Sequence, residues 1–152
     1  MVAAMSSLRI GPVTDDATLE DWRLVHNAVV PDAAMSTDEA RERVGRYLLE
    51  VAYDGDVLVG CTTVRPPEAG GGASTVIVRV LPQWRGRGLG SALYERAMRQ
   101  AAEQAPDAVE TVVWAANTAG VRFAEARGFA EVDRYEPEPG AVPYLTLRRP
   151  SA

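Results

Sequence analysis

A glycine-rich loop is the part of this sequence whose residue types and spacing suggest chemistry most directly. The loop and the first turn of the helix predicted to follow it are Arg85, Gly86, Arg87, Gly88, Leu89, Gly90 and Ser91. Glycine lets successive backbone amides turn inward without Cβ clashes. A helix N-terminus adds unpaired amides and a partial positive charge. Because the two arginines add permanent positive charge, the loop predicts a phosphate-binding site.

Two common nucleotide-binding motifs do not match this loop. The P-loop motif requires Lys and then Ser or Thr after its last glycine, and these residues are missing here. The dinucleotide-binding fingerprint requires a glycine at position 91, where Ser91 stands. A tight turn that needs glycine only for its backbone conformation is the structural alternative.

The elements that must position this loop follow from periodicity, caps and turn residues. We predict strands over residues 8–13, 51–53, 57–64, 74–81, 111–115, 130–135 and 142–147. We predict helices over residues 18–30, 36–48, 88–105 and 118–127. Ser36 and Glu39 form a capping box that opens the second helix, and Asp54-Gly55 predicts a hairpin between the second and third strands. The order β-α-α-β-β-β-α-β-α-β-β indicates an α/β fold with a mixed sheet and helices on its faces. A length of 152 residues fits a single domain over 1–152, in which we expect residues 1–6 to be frayed.

Composition excludes several classes of function. The net charge of −5 disfavours general nucleic-acid binding. No apolar run approaches the roughly 20 residues of a membrane-spanning helix, and the N-terminus does not read as a signal peptide. The single cysteine, Cys61, lies in a predicted strand and is expected to be a small buried hydrophobe. We expect a cytoplasmic protein without a metal site.

Two motifs at compatible spacing resemble those of the GNAT superfamily of acyl-CoA-dependent N-acyltransferases. The first motif is Val80-x-Pro82 followed by Arg85-x-x-Gly88-x-Gly90. The second, on the later strand–helix unit, is Asn117, Phe123 and Gly128-Phe129. The predicted element order is also the GNAT order, so the resemblance covers nearly the whole chain.

This resemblance implies a site and a reaction. Strands 74–81 and 111–115 would splay apart, and the pantetheine of acetyl-CoA or a related acyl-CoA would lie between them. The implied cofactor-binding residues outside the loop are Val78, Arg79, Val80, Asn117 and Phe123. The loop amides would hold the pyrophosphate, and a strand amide near Val80 would polarise the thioester carbonyl. An amine would then attack the thioester directly, with both substrates bound together.

The sequence departs from the family pattern where a catalytic acid is expected. The family usually has a tyrosine directly after the phenylalanine of the second motif, and this chain has Ala124. Tyr135 and Tyr144, on the last two predicted strands, are the nearest substitutes by residue type. Each is also readily explained as a core or rim tyrosine.

The general base is also unassigned. The strand before the loop carries no carboxylate, although many relatives have one there. His26 is the only histidine and could titrate near neutral pH, but a packed helix histidine explains it as well. Glu110 precedes the next strand and could simply face solvent.

Two questions stay open at this point. Because of Ala124 and the missing carboxylate, an inactive acyl-CoA-binding sensor or scaffold of the same fold is the alternative to an active enzyme. The acceptor amine is unassigned, and the acids within residues 32–39 either attract a cationic amine or belong to a solvated loop. A homodimer is compatible with the fold, but no residue requires it.

Overall fold

A computed structural model describes residues 7–69 and 71–151 of the chain. Its strands are β1 (Leu8–Pro12), β2 (Leu48–Asp54), β3 (Val57–Arg65), β4 (Ala73–Val80), β5 (Ala108–Trp114), β6 (Ala130–Tyr135) and β7 (Tyr144–Pro150). Its helices are α1 (Asp16–Val29), α2 (Thr37–Val44), α3 (Leu89–Ala102) and α4 (Thr118–Ala126). Short 3₁₀ turns cover Pro31–Ala33 and Pro82–Trp84. The predicted order of strands and α-helices is confirmed, whereas the expectation for residues 1–6 lies outside the described part.

The strands form one mixed sheet in the order β1-β2-β3-β4-β5-β7-β6. Neighbouring strands are antiparallel except β4 and β5, which run parallel. Helices α1 and α2 pack on one face, over a core that includes Trp22 and Cys61. Helices α3 and α4 cover the other face, over cores that include Leu93 and Phe129. None of the helices in the described ranges has the length and apolar character needed to cross a bilayer.

Local sequence signals explain where the first two helices begin. The Asp15 side chain accepts a hydrogen bond from the Thr18 amide, and Thr18 bonds back to the Asp15 backbone. Ser36 and Glu39 form the same reciprocal capping box at the start of α2. Such caps satisfy amides that have no partner within the helix. The capping box predicted for Ser36 is therefore confirmed.

The predicted extent of the second helix is wrong. Helix α2 ends at Val44, and Leu48, predicted as its last residue, instead begins strand β2. Leu48 pairs with Val64 of β3, and its neighbour Leu49 is buried in the core under α1. Because strand pairing and burial outweigh weak local helix propensity, the strand starts earlier than its sequence suggests.

The packing of strands β3 and β4 leaves no room for a side chain at Gly60. A Cβ at Gly60 would lie 2.6 Å from the backbone oxygen of Arg79. We expect Gly60→Ala to lower the free energy of unfolding by about 1–3 kcal/mol, because strand backbone must shift to accept the methyl group. Urea unfolding measures this loss. Gly11→Ala is the matched control, since no atom lies within 4 Å of its added Cβ, and a comparable loss there would contradict the explanation.

Candidate functional site

The two central parallel strands pair only at their N-terminal ends. Ala73, Ser74 and Thr75 of β4 pair with Ala108, Val109 and Glu110 of β5, and no pairing between the strands follows. Beyond that point the strands border a cleft of about 360 Å³. The glycine-rich loop lies at one end of this cleft, and α4 forms part of its wall. The described structure therefore contains the predicted opening between these strands.

Alternating backbone direction decides which groups of β4 face the opening. The Leu81 amide donates to the Val59 carbonyl of β3 at 2.9 Å, so Leu81 directs its backbone groups away from the cleft. Successive residues of a strand direct these groups to opposite sides. Val80 and Val78 therefore present their amides and carbonyls to the opening. The amide and carbonyl of Arg79 face β3. They are therefore not available to a cofactor in the cleft, although the family resemblance implied a cofactor-binding role for Arg79.

The loop before α3 presents unpaired amides. Gly86 and Gly88 have φ angles of 79° and 82°, in the region that glycine adopts without strain. Gly88 is the N-cap of α3, and no side chain caps this helix. Within residues 7–69 and 71–151, the amides from Gly86 to Ser91 donate no hydrogen bond. This arrangement provides the backbone part of an anion site at a helix N-terminus.

The two loop arginines do not point away from the protein. The Nε of Arg85 donates to the Val80 carbonyl at 3.0 Å, so this side chain occupies a backbone acceptor that faces the cleft. The guanidinium of Arg87 lies over the Trp84 ring, 4.6 Å from its centroid. Both contacts keep positive charge beside the unpaired amides.

A third arginine stands at the same helix end, and sequence reasoning missed it. Arg127 donates to the Ser91 hydroxyl at 2.7 Å, and its guanidinium lies 3.5 Å from the centroid of the Phe123 ring. The four-residue spacing from Phe123 could have indicated the stacking contact. The contact with Ser91 joins two distant helix ends and has no sequence signal.

Comparisons with known proteins agree with this geometry. The model of the acetyltransferase (GNAT) family matches residues 15–129, most of the chain. The chain belongs to the GNAT acetyltransferase family. No curated protein sequence matches it significantly.

Solved GNAT-family structures share the fold at low sequence identity. The yncA protein of Salmonella typhimurium, solved with its cofactor acetyl-CoA, is 20% identical with a TM-score of 0.69, covering 96% of this chain and 95% of its own. The ribosomal-protein-S18-alanine N-acetyltransferase of Escherichia coli is 18% identical with a TM-score of 0.76, covering 95% and 94%. Ard1 of Thermoplasma volcanium is 15% identical with a TM-score of 0.79, covering 95% and 97%.

Three residues of the second motif, Asn117, Phe123 and Phe129, line the cleft, whereas Gly128 does not. The Asn117 side chain accepts from the Gly120 amide at 3.1 Å, so it caps α4 while lining the opening. The Phe123 ring packs against the start of α3, where a Cβ at Gly90 would lie 3.4 Å from it. Ala124, in the position of the usual GNAT tyrosine, is buried and lines the same cleft.

The two candidate tyrosines occupy different environments. Tyr144 lines the cleft, and its buried hydroxyl has no partner among the described residues. Burial raises the pKa of Tyr144, with a further increase from Asp32 and a smaller decrease from Arg79. Tyr135 lies on edge strand β6, is 63% exposed, and does not line the cleft.

The candidate bases are both engaged in other contacts. Glu110 pairs with Arg148, whose Nε lies 2.8 Å from its carboxylate. His26 is 6% exposed, stacks on Trp22 at 5.5 Å, and its Nδ1 lies 3.0 Å from Asn27 Oδ1. Burial, followed by the positive charge of Arg79, lowers the pKa of His26 to about 4. At neutral pH His26 is thus an uncharged and weak base.

The low pKa of His26 predicts a loss of stability in mild acid. Between pH 6.5 and about 4 the unfolded chain binds a proton at this position that the folded protein does not bind. The free energy of unfolding should fall through this window, by about 3 kcal/mol at most. Urea unfolding at several pH values measures the slope. His26→Phe keeps the aromatic stack and removes the titration, so an equally steep fall in this variant would contradict the assignment.

Proposed function

We propose that this protein transfers an acetyl or other short acyl group from acyl-CoA to an amine. The observation that carries the proposal is the open cleft between β4 and β5, with the unpaired amides of residues 86–91 at its end. Family membership supports it, as do neighbours that bind acetyl-CoA or are N-acetyltransferases. The alignment of two substrates in one cleft would provide much of the rate gain.

The residues present fit an acyl-CoA. The pantetheine arm contains amides, and the amides of Val78 and Val80 and the carbonyl of Val78 offer the donors and the acceptor that an added strand requires. The pyrophosphate would bind the amides of residues 86–91, near Arg87 and Arg127. A Cβ on Gly90 would lie in van der Waals contact with the Phe123 ring, 3.4 Å away. Acyl-CoA supplies an activated thioester to the acceptor amine.

The chain supplies polarisation and a proton donor. The Val80 amide faces the cleft and would donate to the thioester oxygen, where negative charge develops. The Tyr144 hydroxyl would protonate the departing thiolate, because burial keeps it protonated at neutral pH. Tyr144 would thus perform the function of the tyrosine that GNAT proteins usually have at the position of Ala124. An acceptor that enters as its neutral amine needs no strong base, in keeping with the paired Glu110 and the weak base His26. After the attack the cationic nitrogen would lose a proton to water, and water would return a proton to the Tyr144 phenolate.

An acyl-CoA sensor or scaffold without catalytic activity is the second candidate function. The buried methyl group of Ala124, which cannot donate a proton, favours it. Both functions require acyl-CoA binding, so release of free CoA thiol across a panel of amines separates them. If acyl-CoA binds but none of the amines in the panel causes thiol release, the sensor is favoured.

The cytoplasmic location, homodimer formation and lack of nucleic-acid binding stay predictions.

Gly88→Asp should weaken acetyl-CoA binding strongly. The change places a carboxylate at the N-terminus of α3 and strains a backbone with φ near 82°, so we expect Kd to rise at least about tenfold. Isothermal titration calorimetry measures Kd. Gly55→Asp is the matched control, because Gly55 also has a positive φ, of 62°, but lies in the β2–β3 hairpin. Unchanged binding in Gly88→Asp would refute the phosphate site.

Tyr144→Phe should lower kcat by about 10- to 100-fold while leaving the Kd for acetyl-CoA unchanged, because it removes only the proton donor. Steady-state thiol release and calorimetry give the two values. Tyr135→Phe should change neither, since Tyr135 lies outside the cleft. Full activity in Tyr144→Phe would show that water or another group protonates the thiolate.

A further inference from the structure

Arg79 carries a positive charge that no acid in the described structure neutralises. Its register partner on β3 is Cys61, a residue of the core under α1, so the Arg79 side chain projects from the α1 face of the sheet. The residue is half-buried and lines the cleft. Within residues 7–69 and 71–151 its guanidinium forms no hydrogen bond and no ion pair. Partial burial of a charge without a partner lowers the free energy of unfolding.

The surroundings of Arg79 are positive as well. Burial lowers the pKa of Arg79 most, and the positive charges of Arg65, on the same face of β3, and Arg43, on α2, lower it further. Neither Arg43 nor Arg65 has an acidic partner in the described part of the chain, and the Nε of Arg65 is buried without an acceptor. This concentration of positive charge lies within a protein of net charge −5. Its local potential therefore favours an anion.

Two further donors lie on the same face beside the cleft. Trp114 and Tyr144 are register partners on β5 and β7, on the α1 face of the sheet, and both line the cleft. The Trp114 indole N–H and the Tyr144 hydroxyl are buried, and neither has an acceptor in the described residues. Because the Tyr144 hydroxyl is already proposed as the proton donor to the thiolate, the Trp114 indole N–H is the further donor beside Arg79 that an oxygen anion would complement.

The acyl-CoA does not account for this charge. Its phosphates belong with the amides of residues 86–91, at the N-terminus of α3. Its pantetheine arm is uncharged and would pair with the backbone of Val78 and Val80. The α1 face of the cleft is therefore left for the second substrate.

We propose that the acceptor is an amine that also carries a carboxylate, as a free amino acid does, and that Arg79 binds this carboxylate. The proposal rests on the proposed function for the identity of the reaction, but the carboxylate site itself is testable by binding alone. Arg79 then determines which acceptors enter the cleft. A guanidinium holds a carboxylate with paired charge-assisted hydrogen bonds, which a neutral amide cannot match.

The experiment titrates the protein, with and without saturating CoA, with free L-amino acids and with the matching carboxamides. Tryptophan fluorescence reports binding, because Trp84 and Trp114 line the cleft. We expect at least one amino acid to bind about tenfold or more tightly than its carboxamide. Arg79→Gln should abolish this preference, and Arg79→Lys should restore part of it. Arg99→Gln is the matched control, because Arg99 is exposed on α3 and does not line the cleft.

The outcomes separate this inference from the proposed function. Equal binding of carboxylates and amides, a preference that survives Arg79→Gln, or no binding of any amino acid at tens of millimolar overturns the carboxylate site. Carboxylate binding that depends on Arg79 in a protein that does not bind CoA supports the site and refutes the acyltransferase. Thermal unfolding checks the fold of Arg79→Gln, whose melting temperature should equal or exceed that of the natural chain, because an unpaired charge is removed.

Discussion

The incomplete pairing of β4 with β5 is the constraint on which the rest of this structure depends. Parallel strands normally exchange hydrogen bonds along their length, and buried backbone groups are rarely left without partners. Here the pairing stops after Thr75 and Glu110. The sheet holds together across this gap because β5 pairs along its whole length with β7, and β4 pairs with β3. Each strand beside the opening is thus held by its other neighbour, so the two strands can stay apart without further pairing between them.

The opening gives the two faces of the sheet separate roles. On the α3 and α4 face, the helix N-terminus, Arg127 and the glycines would bind the phosphates of the proposed acyl-CoA. On the α1 face, Arg79, Trp114 and Tyr144 present polar groups that no described residue matches. A ligand that threads the gap between β4 and β5 would meet both sets. Two substrates could then approach from opposite faces and react where the strands diverge.

The sequence allowed much of this arrangement to be predicted. Short-range signals such as the Ser36 capping box and the Asp54-Gly55 hairpin produced correct elements, because their physics is local. The glycine spacing at residues 86–90 predicted the unpaired amides, since positive φ angles and missing Cβ atoms are properties of glycine itself. The error at Leu48 arose where pairing with β3 and burial, both non-local, decided the structure.

The site was harder to predict than the fold. Arg127 reaches Ser91 only because two helix ends meet in space. A titratable His26 packed on its helix was one of the expectations, but the charge of Arg79 beside it could not be anticipated, because the face of a strand residue depends on register. Tyr135 and Tyr144 looked equivalent in sequence. The antiparallel pairing of β6 and β7 exposes one at the sheet edge and buries the hydroxyl of the other beside the cleft.

Buried polar atoms without hydrogen-bond partners can result from imperfect packing or from a site that awaits a ligand, and their positions help to distinguish these two explanations. The buried side-chain atoms without partners in the described residues belong to Thr63, Arg65, Gln100, Trp114 and Tyr144. Apart from Gln100, which is on α3, all of them project from the α1 face of the sheet, and two of them, Trp114 and Tyr144, line the cleft. Each such atom costs about 1–3 kcal/mol if nothing binds it. Random imperfections would be spread over both faces, whereas a surface shaped to bind a polar substrate concentrates them at one place. The position of these atoms on the α1 face therefore supports the proposal that a polar second substrate binds there.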